Sequence, residues 1–371
     1  MKMKILQQAS KRAICLFAGI VAATTALVSQ PISAVAEPLT IRYAHFGANR
    51  GGMGDNINWF KNQIETRSKG DLLLDIHWGG SLGAPADVPR VVGAGLADMG
   101  TIVSSYTPGV LDLYEVGNQL VGPSNLWVAQ QAIYELATTS EPVKKQFAGN
   151  NLTYIGNFNA GAVQLICKEP LTSLNQLKDL KIRTGGPYTD VLKRMGATTI
   201  AMPQTEVYQA LSTGLVDCNQ IYHLAIEGFR QYEVAKHVVE LDFGLVMAYG
   251  IIMNKDLWDE LSDERKSLIR GVADDLNARV VSDHLARVGA AKTKLSGDSD
   301  EFRVIYAAPP EGMLDQIKEY GAELADEWIK SVGEKGLPAQ EVAKEYRALI
   351  DKYQADFDKN GYPWDATKGK D

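Results

Sequence analysis

The pattern of apolar and polar positions predicts a strand, a helix and a second strand in direct succession near the start of the globular sequence. Residues 39–45 alternate between apolar and polar side chains, which predicts a β-strand. Residues 55–68 carry apolar side chains at helical spacing, and residues 72–78 predict the next strand. The glycine-rich stretch 47–54 is interpreted as a turn near a ligand cleft. One βαβ unit of this kind predicts a parallel sheet covered by helices.

A second pattern occurs twice and predicts two lobes of similar build. A helix ends at Gly95, two residues intervene, and Asp98 opens a strand-like run; Gly214 and Asp217 repeat this arrangement about 120 residues later. Glycine suits the left-handed conformation that commonly ends a helix. We therefore expect two α/β lobes.

The segment 262–295 predicts one unusually long helix that could span both lobes. Ser262 is a good N-cap, and Asp263 and Glu264 place negative charge in the first turn, where the helix dipole favours it. A strand at 303–307 and a helical region over 313–357 are predicted to follow. The polar tail after residue 360 is expected to be loose.

The amino terminus has the order of features that is typical of a secretory signal peptide. Four basic residues precede an apolar run over 13–28, and Ala34-Val35-Ala36 supplies small residues before a cut after Ala36. The alternative is a retained membrane anchor, but the apolar run is short for a spanning helix, which needs about 20 residues. The predicted location is the periplasm.

Charge and cysteine content limit the classes of partner. Loss of the leader removes four basic residues and no acidic one, so the formal charge of −7 becomes −11. A net acidic chain without a basic block is a poor candidate for nucleic acid, and an anionic ligand would need a local cation. Cys167 and Cys218 form no C-x-x-C pair, and we interpret them as small, semi-buried side chains, although an exported protein permits a disulfide.

Several signatures of enzymes and metal sites are missing from the chain. It has no H-E-x-x-H, no P-loop and no G-x-G-x-x-G that opens a helix after a strand. The five histidines lack metal-ligand spacing. We predict no catalytic group, no metal and no cofactor.

The short predicted strand over 180–184 places Arg183 beside Gly185 and Gly186. Ligands of α/β lobes bind where strands end, and a guanidinium fits a carboxylate with two parallel N–H donors. Taken alone, a surface arginine on a sheet edge explains the pattern equally well.

The surrounding segment resembles the solute-binding receptors of TRAP transporters, the DctP-type family. The runs L-K-D-L-K-I-R-T (177–184), M-G-A-T-T-I-A-M-P (195–203) and E-V-Y-Q-A-L-S-T-G-L-V-D (206–217) follow the family's order. Shorter similarities occur at 93–100, G-A-G-L-A-D-M-G, and at 258–264, W-D-E-L-S-D-E. The resemblance therefore covers nearly all of the mature chain.

The resemblance implies a type II-like periplasmic binding fold, in which hinge strands join two α/β lobes, a long helix spans both, and the ligand is enclosed between them. It also implies docking on a small and a large membrane subunit, and it assigns to Arg183 the pairing with a ligand carboxylate. The predicted division is 1–36 as signal peptide, 37–160 with 248–285 as the first lobe, 161–247 with 286–350 as the second lobe, and 351–371 as a tail.

The chain departs from the family pattern at a second arginine that many members carry on the strand within 160–171. Ala162, Val163 or Gln164 stands in that region, and the missing arginine favours a monocarboxylate with a polar or aromatic body over a small dicarboxylate. Arg50 is a candidate replacement for the missing charge. The other predicted ligand contacts are Asn219, Gln220, Tyr222 and His223 in the second lobe and Phe46 and Asn49 in the first.

The predicted function is thus a non-catalytic receptor that binds a small organic acid and passes it to a membrane transporter. One alternative is a receptor that feeds a membrane sensor kinase. The other is an exported enzyme on a similar scaffold.

Overall fold

The computed structural model describes residues 37–297 and 303–365. The predicted signal peptide and the cut after Ala36 lie outside these residues. Within them, no helix combines the length and the apolar character that a bilayer crossing requires.

Eleven strands and eleven α-helices make up the described residues, together with short 3-10 turns. The strands are β1 Leu39–Ala44, β2 Leu72–His77, β3 Met99–Val103, β4 Leu152–Asn157, β5 Ala162–Cys167, β6 Lys181–Thr184, β7 Thr198–Ala201, β8 Cys218–Ile221, β9 His237–Leu245, β10 Tyr249–Asn254 and β11 Ile305–Ala307. The helices are α1 Gly51–Arg67, α2 Val88–Gly93, α3 Leu126–Thr139, α4 Glu141–Gly149, α5 Tyr188–Arg194, α6 Val207–Thr213, α7 His223–Gly228, α8 Lys255–Glu260, α9 Asp263–Leu295, α10 Met313–Glu334 and α11 Ala339–Asn360.

The strands form two sheets, which confirms the predicted two-lobe α/β fold. The first sheet has the order β2-β1-β3-β10-β4, and the second has the order β11-β9-β5-β8-β6-β7. In the first sheet β1 pairs in parallel with β2 and β3, as the βαβ pattern predicts, whereas β10 runs antiparallel. Ile57, Phe60 and Ile64 of α1 are fully buried in the core of this lobe. Burial of each such side chain stabilises the lobe by about 1.5–3 kcal/mol.

Two strand-to-strand segments and one long helix connect the lobes, and the chain crosses once more between α10 and α11. The residues 158–161 lead from β4 of the first sheet to β5 of the second, and 246–248 lead back from β9 to β10. These are the hinge segments that the resemblance implies. They place the carboxyl end of β6 and the loop after β1 on the two sides of one cleft.

The long helix α9 spans both lobes, as predicted. Ser262 caps it by accepting a hydrogen bond from the backbone N–H of Arg265. Near its start, Arg265 pairs with Asp71 of the first lobe at 2.6 Å. Near its end, Lys294 pairs with Glu227 of α7 in the second lobe.

The C-terminal region differs from the predicted single helical segment. Pro338 separates α10 from α11, and the two helices pack on different lobes. Helix α10 packs on α5, whereas α11 packs on α3 of the first lobe, where Lys352 pairs with Glu135 at 2.6 Å. The predicted division into lobes stays a proposal. We revise it by moving α11 from the second lobe and the tail to the first lobe.

The described part of the tail, up to residue 365, is also more ordered than its polar composition indicated. Helix α11 continues to Asn360, and Trp364 stacks on Tyr362 with ring centroids 4.8 Å apart. Trp364 also meets Trp127 of α3 edge to face at 6.1 Å. The packing of Trp364 against the first lobe therefore holds this segment in place although its other residues are mostly polar.

The interpretation of the two cysteines as independent buried side chains was wrong. Cys167 on β5 and Cys218 on β8 are directly paired in the antiparallel ladder and form a disulfide. The sequence could not show this pairing, because it depends on the register of two strands 51 residues apart.

Candidate functional site

A cavity between the lobes, which we call the main cavity, has a volume of about 170 Å³; two other pockets of the described residues are larger. A cavity of about 150 Å³ holds a molecule of the size of benzene. Side chains from both lobes and from α9 form its walls. Its aromatic lining consists of Phe46, Tyr106, Phe158, Tyr222, Phe229 and Tyr249.

The aromatic rings pack against one another and form a continuous apolar wall. Phe46 and Tyr249 stack with centroids 6.3 Å apart, and Phe158 is tilted against Tyr249 at 5.7 Å. Tyr106 meets Phe46 edge to face at 6.2 Å. Rings that are fixed in this way lose little conformational freedom when a flat apolar body binds between them.

The guanidinium of Arg183 is buried near this cavity, and its side chain is 3% exposed. Nε donates to the carbonyl of Met202 at 2.8 Å, and Nη2 donates to the same oxygen. Nη1 donates to Oε1 of Gln204 at 2.8 Å. The remaining contacts of Nη1, with Asn219 Oδ1 and the Gln220 carbonyl, are long at 3.5 and 3.4 Å.

One edge of this guanidinium is therefore less firmly bound than the other. An arginine has five N–H donors, and the second N–H of Nη2 has no acceptor among the described residues. Nη2 lies 3.8 Å from the position that a Cβ would occupy at Gly185, so the glycine leaves space beside it. The Nη1–Nη2 edge is thus the side on which a carboxylate would fit.

Arg183 lines a second, smaller cavity that adjoins the main one. Gly185 and Gly186 also border it. Tyr106 and Tyr222 belong to the walls of both cavities. The two spaces are therefore neighbouring parts of one cleft between the lobes.

Gln204 is a site residue that no sequence motif singled out. Its side chain lines the main cavity and is 6% exposed. Because Oε1 accepts from Arg183, the amide orientation is determined and the NH2 group must point away from the guanidinium. Nε2 has no acceptor among the described residues. The run M-P-Q at 202–204 carried a signal, since it directly follows β7 beside the predicted arginine strand.

Asn219 and Gln220 contact Arg183 and the following Gly185 from the neighbouring strand β8. Asn219 is fully buried and donates to Oε1 of Gln231 at 2.7 Å. Gln220 accepts from the backbone N–H of Gly185 at 2.9 Å and also borders the smaller cavity. Both residues therefore help to position Arg183.

The structure places Phe46 and Tyr222 on the cavity wall and three other predicted contacts away from it. Asn49 is exposed and accepts from Asn58 at 2.7 Å. Gln164 donates to Asp242 at 2.6 Å, and Nε2 of His223 lies 3.5 Å from the same carboxylate. Asn49, Gln164 and His223 are not among the residues that line the two cavities.

Arg50 is the one Lys or Arg side chain among the described residues of the main cavity wall. Its Nε donates to the carbonyl of Gly228 in the second lobe at 3.0 Å. Asp283 of α9 adds a carboxylate to the same wall, held by Arg287 at 2.7 Å. The cavity therefore has little net positive charge away from Arg183.

His223, Glu240 and Asp242 form a cluster whose ligand atoms lie within 4.8 Å of one another. Lys292 pairs directly with Glu240, so an ammonium group already neutralises one carboxylate. Gln164 donates to the other. An ammonium and an amide of the protein thus already contact the two carboxylates, and these contacts explain the cluster without a metal.

Glu115 faces the cleft from the first lobe. Its Oε1 lies 3.6 Å from the position of a Cβ at Gly186, and Ser104 donates to Oε2. Burial raises the pKa of the Glu115 carboxyl to about 7. Part of the residue's surface is still exposed, so we discount the energy that this shift implies.

This pKa predicts a specific dependence of stability on pH. A raised pKa means that the folded chain binds the proton more tightly than the unfolded chain, in which a glutamate titrates near 4.3. The contribution of protonated Glu115 to the unfolding free energy is fully present below about pH 4, and it is lost as the pH rises through about 7. Between pH 5 and 8 we expect the wild type to lose about 2 kcal/mol more unfolding free energy than Glu115→Gln. Urea unfolding at both pH values measures this difference, and parallel losses in the two proteins would contradict it.

Residues 79–83 have the spacing of a G-x-S-x-G hydrolase motif but not its structure. The run forms a turn after β2, and Ser81 is exposed. No hydrogen bond from Ser81 to a histidine or an acid is found among the described residues. The motif needs a nucleophile at a strand-to-helix elbow with a base beside it, so this serine offers no catalytic constellation.

Comparisons with known proteins identify the family of the chain. Bacterial extracellular solute-binding protein family 7, DctP, matches residues 43–327. The ectoine-binding periplasmic protein TeaA of Halomonas elongata is 22% identical over 301 residues, which are 80% of this chain and 84% of TeaA.

Two solved structures show the same fold. A marine metagenome TRAP solute-binding protein specific for pyroglutamate, from an unidentified microbe, has a TM-score of 0.73 at 19% identity, covering 84% of this chain and 99% of its own. A second, specific for aromatic acids and bound to 3-hydroxybenzoate, has a TM-score of 0.73 at 23% identity, covering 85% and 99%. The chain therefore belongs to the DctP family of bacterial extracellular solute-binding proteins, which are TRAP-type receptors rather than enzymes.

Proposed function

We propose that this chain binds a small monocarboxylic acid between its lobes, with Arg183 as the counter-charge, and delivers it to the small and large membrane subunits of a TRAP transporter. The observation that carries the proposal is the buried guanidinium beside Gly185, with one N–H that has no acceptor among the described residues. A hydrogen bond between charged partners in a site without water contributes about 1.5–3 kcal/mol.

The arrangement also explains how a ligand would favour closure. Arg183 belongs to the second lobe, whereas Phe46 and Tyr106 belong to the first. A ligand that touches both sides binds the closed form better than the open form, and only such a difference shifts the equilibrium between them. Tyr106 already contacts the second lobe, because its hydroxyl accepts from the backbone N–H of Gln204 at 3.2 Å.

The charges around the cleft favour one carboxylate rather than two. The strand within 160–171 lacks the second arginine that many relatives carry, and its Gln164 is held by a hydrogen bond to Asp242. Asp283 would repel a second carboxylate in the main cavity. Arg50 lies on the same wall and offsets the charge of Asp283, so the wall offers no net positive charge for a second carboxylate.

The size and lining of the cavity favour a compact, flat body. A volume of about 170 Å³ suits a single ring, and the wall presents stacked aromatic faces. TeaA binds ectoine, and the two related structures hold pyroglutamate and 3-hydroxybenzoate. These are single-ring carboxylates, and we propose the same ligand class for this chain.

Export is part of the same proposal. The basic, apolar and small-residue order of 1–36 indicates cleavage after Ala36 and release into the periplasm. Mass spectrometry of the mature protein would show a first residue at Glu37, and an intact leader would contradict this step.

Calorimetry with a panel of acids tests the ligand class. Benzoate, 3-hydroxybenzoate, pyroglutamate and succinate separate aromatic, cyclic and dicarboxylate ligands at comparable size. We expect one of the single-ring monocarboxylates to bind with a Kd at least tenfold below that of succinate. Preference for succinate would overturn the monocarboxylate proposal. Uptake by vesicles that contain the two membrane subunits, with and without the receptor, tests delivery.

A further inference from the structure

His45 is a buried histidine on the cavity wall that the fold alone does not explain. It follows β1, is 2% exposed, and lines the main cavity together with Gly47. Its ring stacks on Phe46 with centroids 5.0 Å apart and meets Trp78 edge to face at 5.2 Å. Backbone hydrogen bonds to His77 and from Gly80 hold the residue on both sides. The imidazole is therefore rigidly placed.

A chain of hydroxyl groups determines which ring nitrogen carries the proton. The hydroxyl of the fully buried Tyr43 lies 2.6 Å from Oγ1 of Thr101, its one hydrogen-bond partner among the described residues. A buried hydroxyl proton needs an acceptor, so Tyr43 donates to Thr101. The Thr101 proton is then directed to Nδ1 of His45, 3.0 Å away. Nδ1 accepts, and the neutral ring must carry its proton on Nε2.

Nε2 lies on the side of the ring that is next to Gly47, and both residues line the main cavity. A Cβ at Gly47 would lie 2.8 Å from Nε2, which makes Gly47 the neighbour that leaves this nitrogen accessible. No hydrogen-bond acceptor for Nε2 is found within residues 37–297 and 303–365. Burial also lowers the pKa of His45 to about 3, so the ring stays neutral in ordinary buffers.

We propose that the Nε2–H of His45 is a ligand-binding donor that selects acids carrying an uncharged oxygen acceptor, a carbonyl or a hydroxyl, on the body of the molecule. This inference rests on the proposed function for the carboxylate end of the ligand. An uncharged acceptor fits because the ring is a dipole and not a cation. The charged groups of the same wall, Arg50 and Asp283, are held by Gly228 and Arg287, and burial also lowers the pKa of His284, to about 4.

Two matched pairs of acids test the inference by calorimetry. Pyroglutamate differs from cyclopentanecarboxylate mainly in its lactam group, and 3-hydroxybenzoate differs from benzoate in one hydroxyl. In His45→Phe we expect the oxygen-bearing member of the pair that binds to lose affinity about tenfold, and its oxygen-free partner to change less than twofold. Gly47→Ala, which crowds Nε2 but keeps the imidazole, should reproduce this selective loss.

The outcomes separate this inference from the proposed function. Equal losses for both members of a pair, or no loss for either, overturn the role of His45. Unchanged binding of all acids in Arg183→Ala overturns the carboxylate assignment instead. If succinate binds and none of the four single-ring acids does, both the proposed ligand class and the role of His45 are overturned.

A spectroscopic measurement tests the tautomer without any ligand. In NMR spectra of the ¹⁵N-labelled mature protein, we expect His45 to show a protonated Nε2 and an unprotonated Nδ1, with no titration between pH 5 and 8. Thr101→Val removes the donor to Nδ1 and should produce a mixture of tautomers. A protonated Nδ1 in the wild type, or a titration near pH 6.5, would overturn the inference.

Discussion

Replacing Arg183 by alanine is expected to weaken binding of the preferred acid at least 100-fold, which corresponds to about 3 kcal/mol. The loss has two causes. The carboxylate loses its charge-assisted partner, and Gln204, whose Oε1 Arg183 holds, becomes free to turn. Arg183→Lys keeps the positive charge, but a lysine ammonium cannot donate to the Met202 carbonyl and to Gln204 Oε1 at the same time. We therefore expect an affinity between those of the wild type and Arg183→Ala. Calorimetry with the acid identified in the panel provides both values.

Arg194 provides a matched control in the same lobe. It lies at the end of α5 and pairs at 2.7 Å with both Glu323 and Glu327 of α10, away from the cleft. Arg194→Ala should change the Kd less than twofold, since exposed ion pairs contribute little. Because Arg183→Ala also leaves the Met202 carbonyl without a donor, a lower Tm without ligand is expected. The ligand-induced rise in Tm, and not the Tm itself, is the decisive value. A Kd within threefold of the wild type in Arg183→Ala would remove the residue from its role.

Loss of the disulfide is expected to have the largest effect on stability. Cys167 and Cys218 join β5 to β8 in the second sheet, beside the strand that carries Arg183. A bond that closes a loop of this length restricts the unfolded chain by about 4 kcal/mol. For a protein of this size that corresponds to a fall in Tm of roughly 6 °C. Thermal unfolding of the Cys167→Ala/Cys218→Ala double variant measures the effect.

Thiol titration provides the control for this prediction. After removal of the leader the two cysteines are the only ones in the chain, so denatured protein should expose no thiol before reduction and two after it. Reductant should lower the Tm of the wild type and leave the double variant unchanged. Two reactive thiols in the unreduced, denatured protein would show that the bond is not formed. Binding of the acid should persist in the double variant below its Tm, because neither cysteine lines the cleft.

The fold was largely predictable because its signals are local. Alternation over β1, helical spacing over α1 and the capped start of α9 each depend on residues a few positions apart. The errors occurred where packing between distant segments decided the outcome. Trp364 packs on Trp127, and this contact holds the described residues 361–365 against the first lobe although their composition is largely polar. Likewise α11 packs on the first lobe although the sequence around it continues from the second.

The site was predictable only in part. Arg183, Phe46 and Tyr222 stood out because their residue types and motif positions indicated a ligand. Gln204 and His45 did not stand out, because an amide or an imidazole acquires a binding role only from the groups that orient it. Arg183 orients the first, and the chain from Tyr43 through Thr101 orients the second. These partners are far apart in the sequence, so no local pattern records them.

By itself the sequence determined the two-lobe α/β class, the long bridging helix and an arginine at a strand end, since periodicity, capping and motif order are written in adjacent residues. Only the tertiary structure decided which cysteines pair, which polar groups are left without partners and which walls enclose a ligand. The physical reason is that strand register and burial are properties of the packed chain: a side chain's hydrogen-bond partners, and therefore its protonation and orientation, exist only once distant segments are in contact.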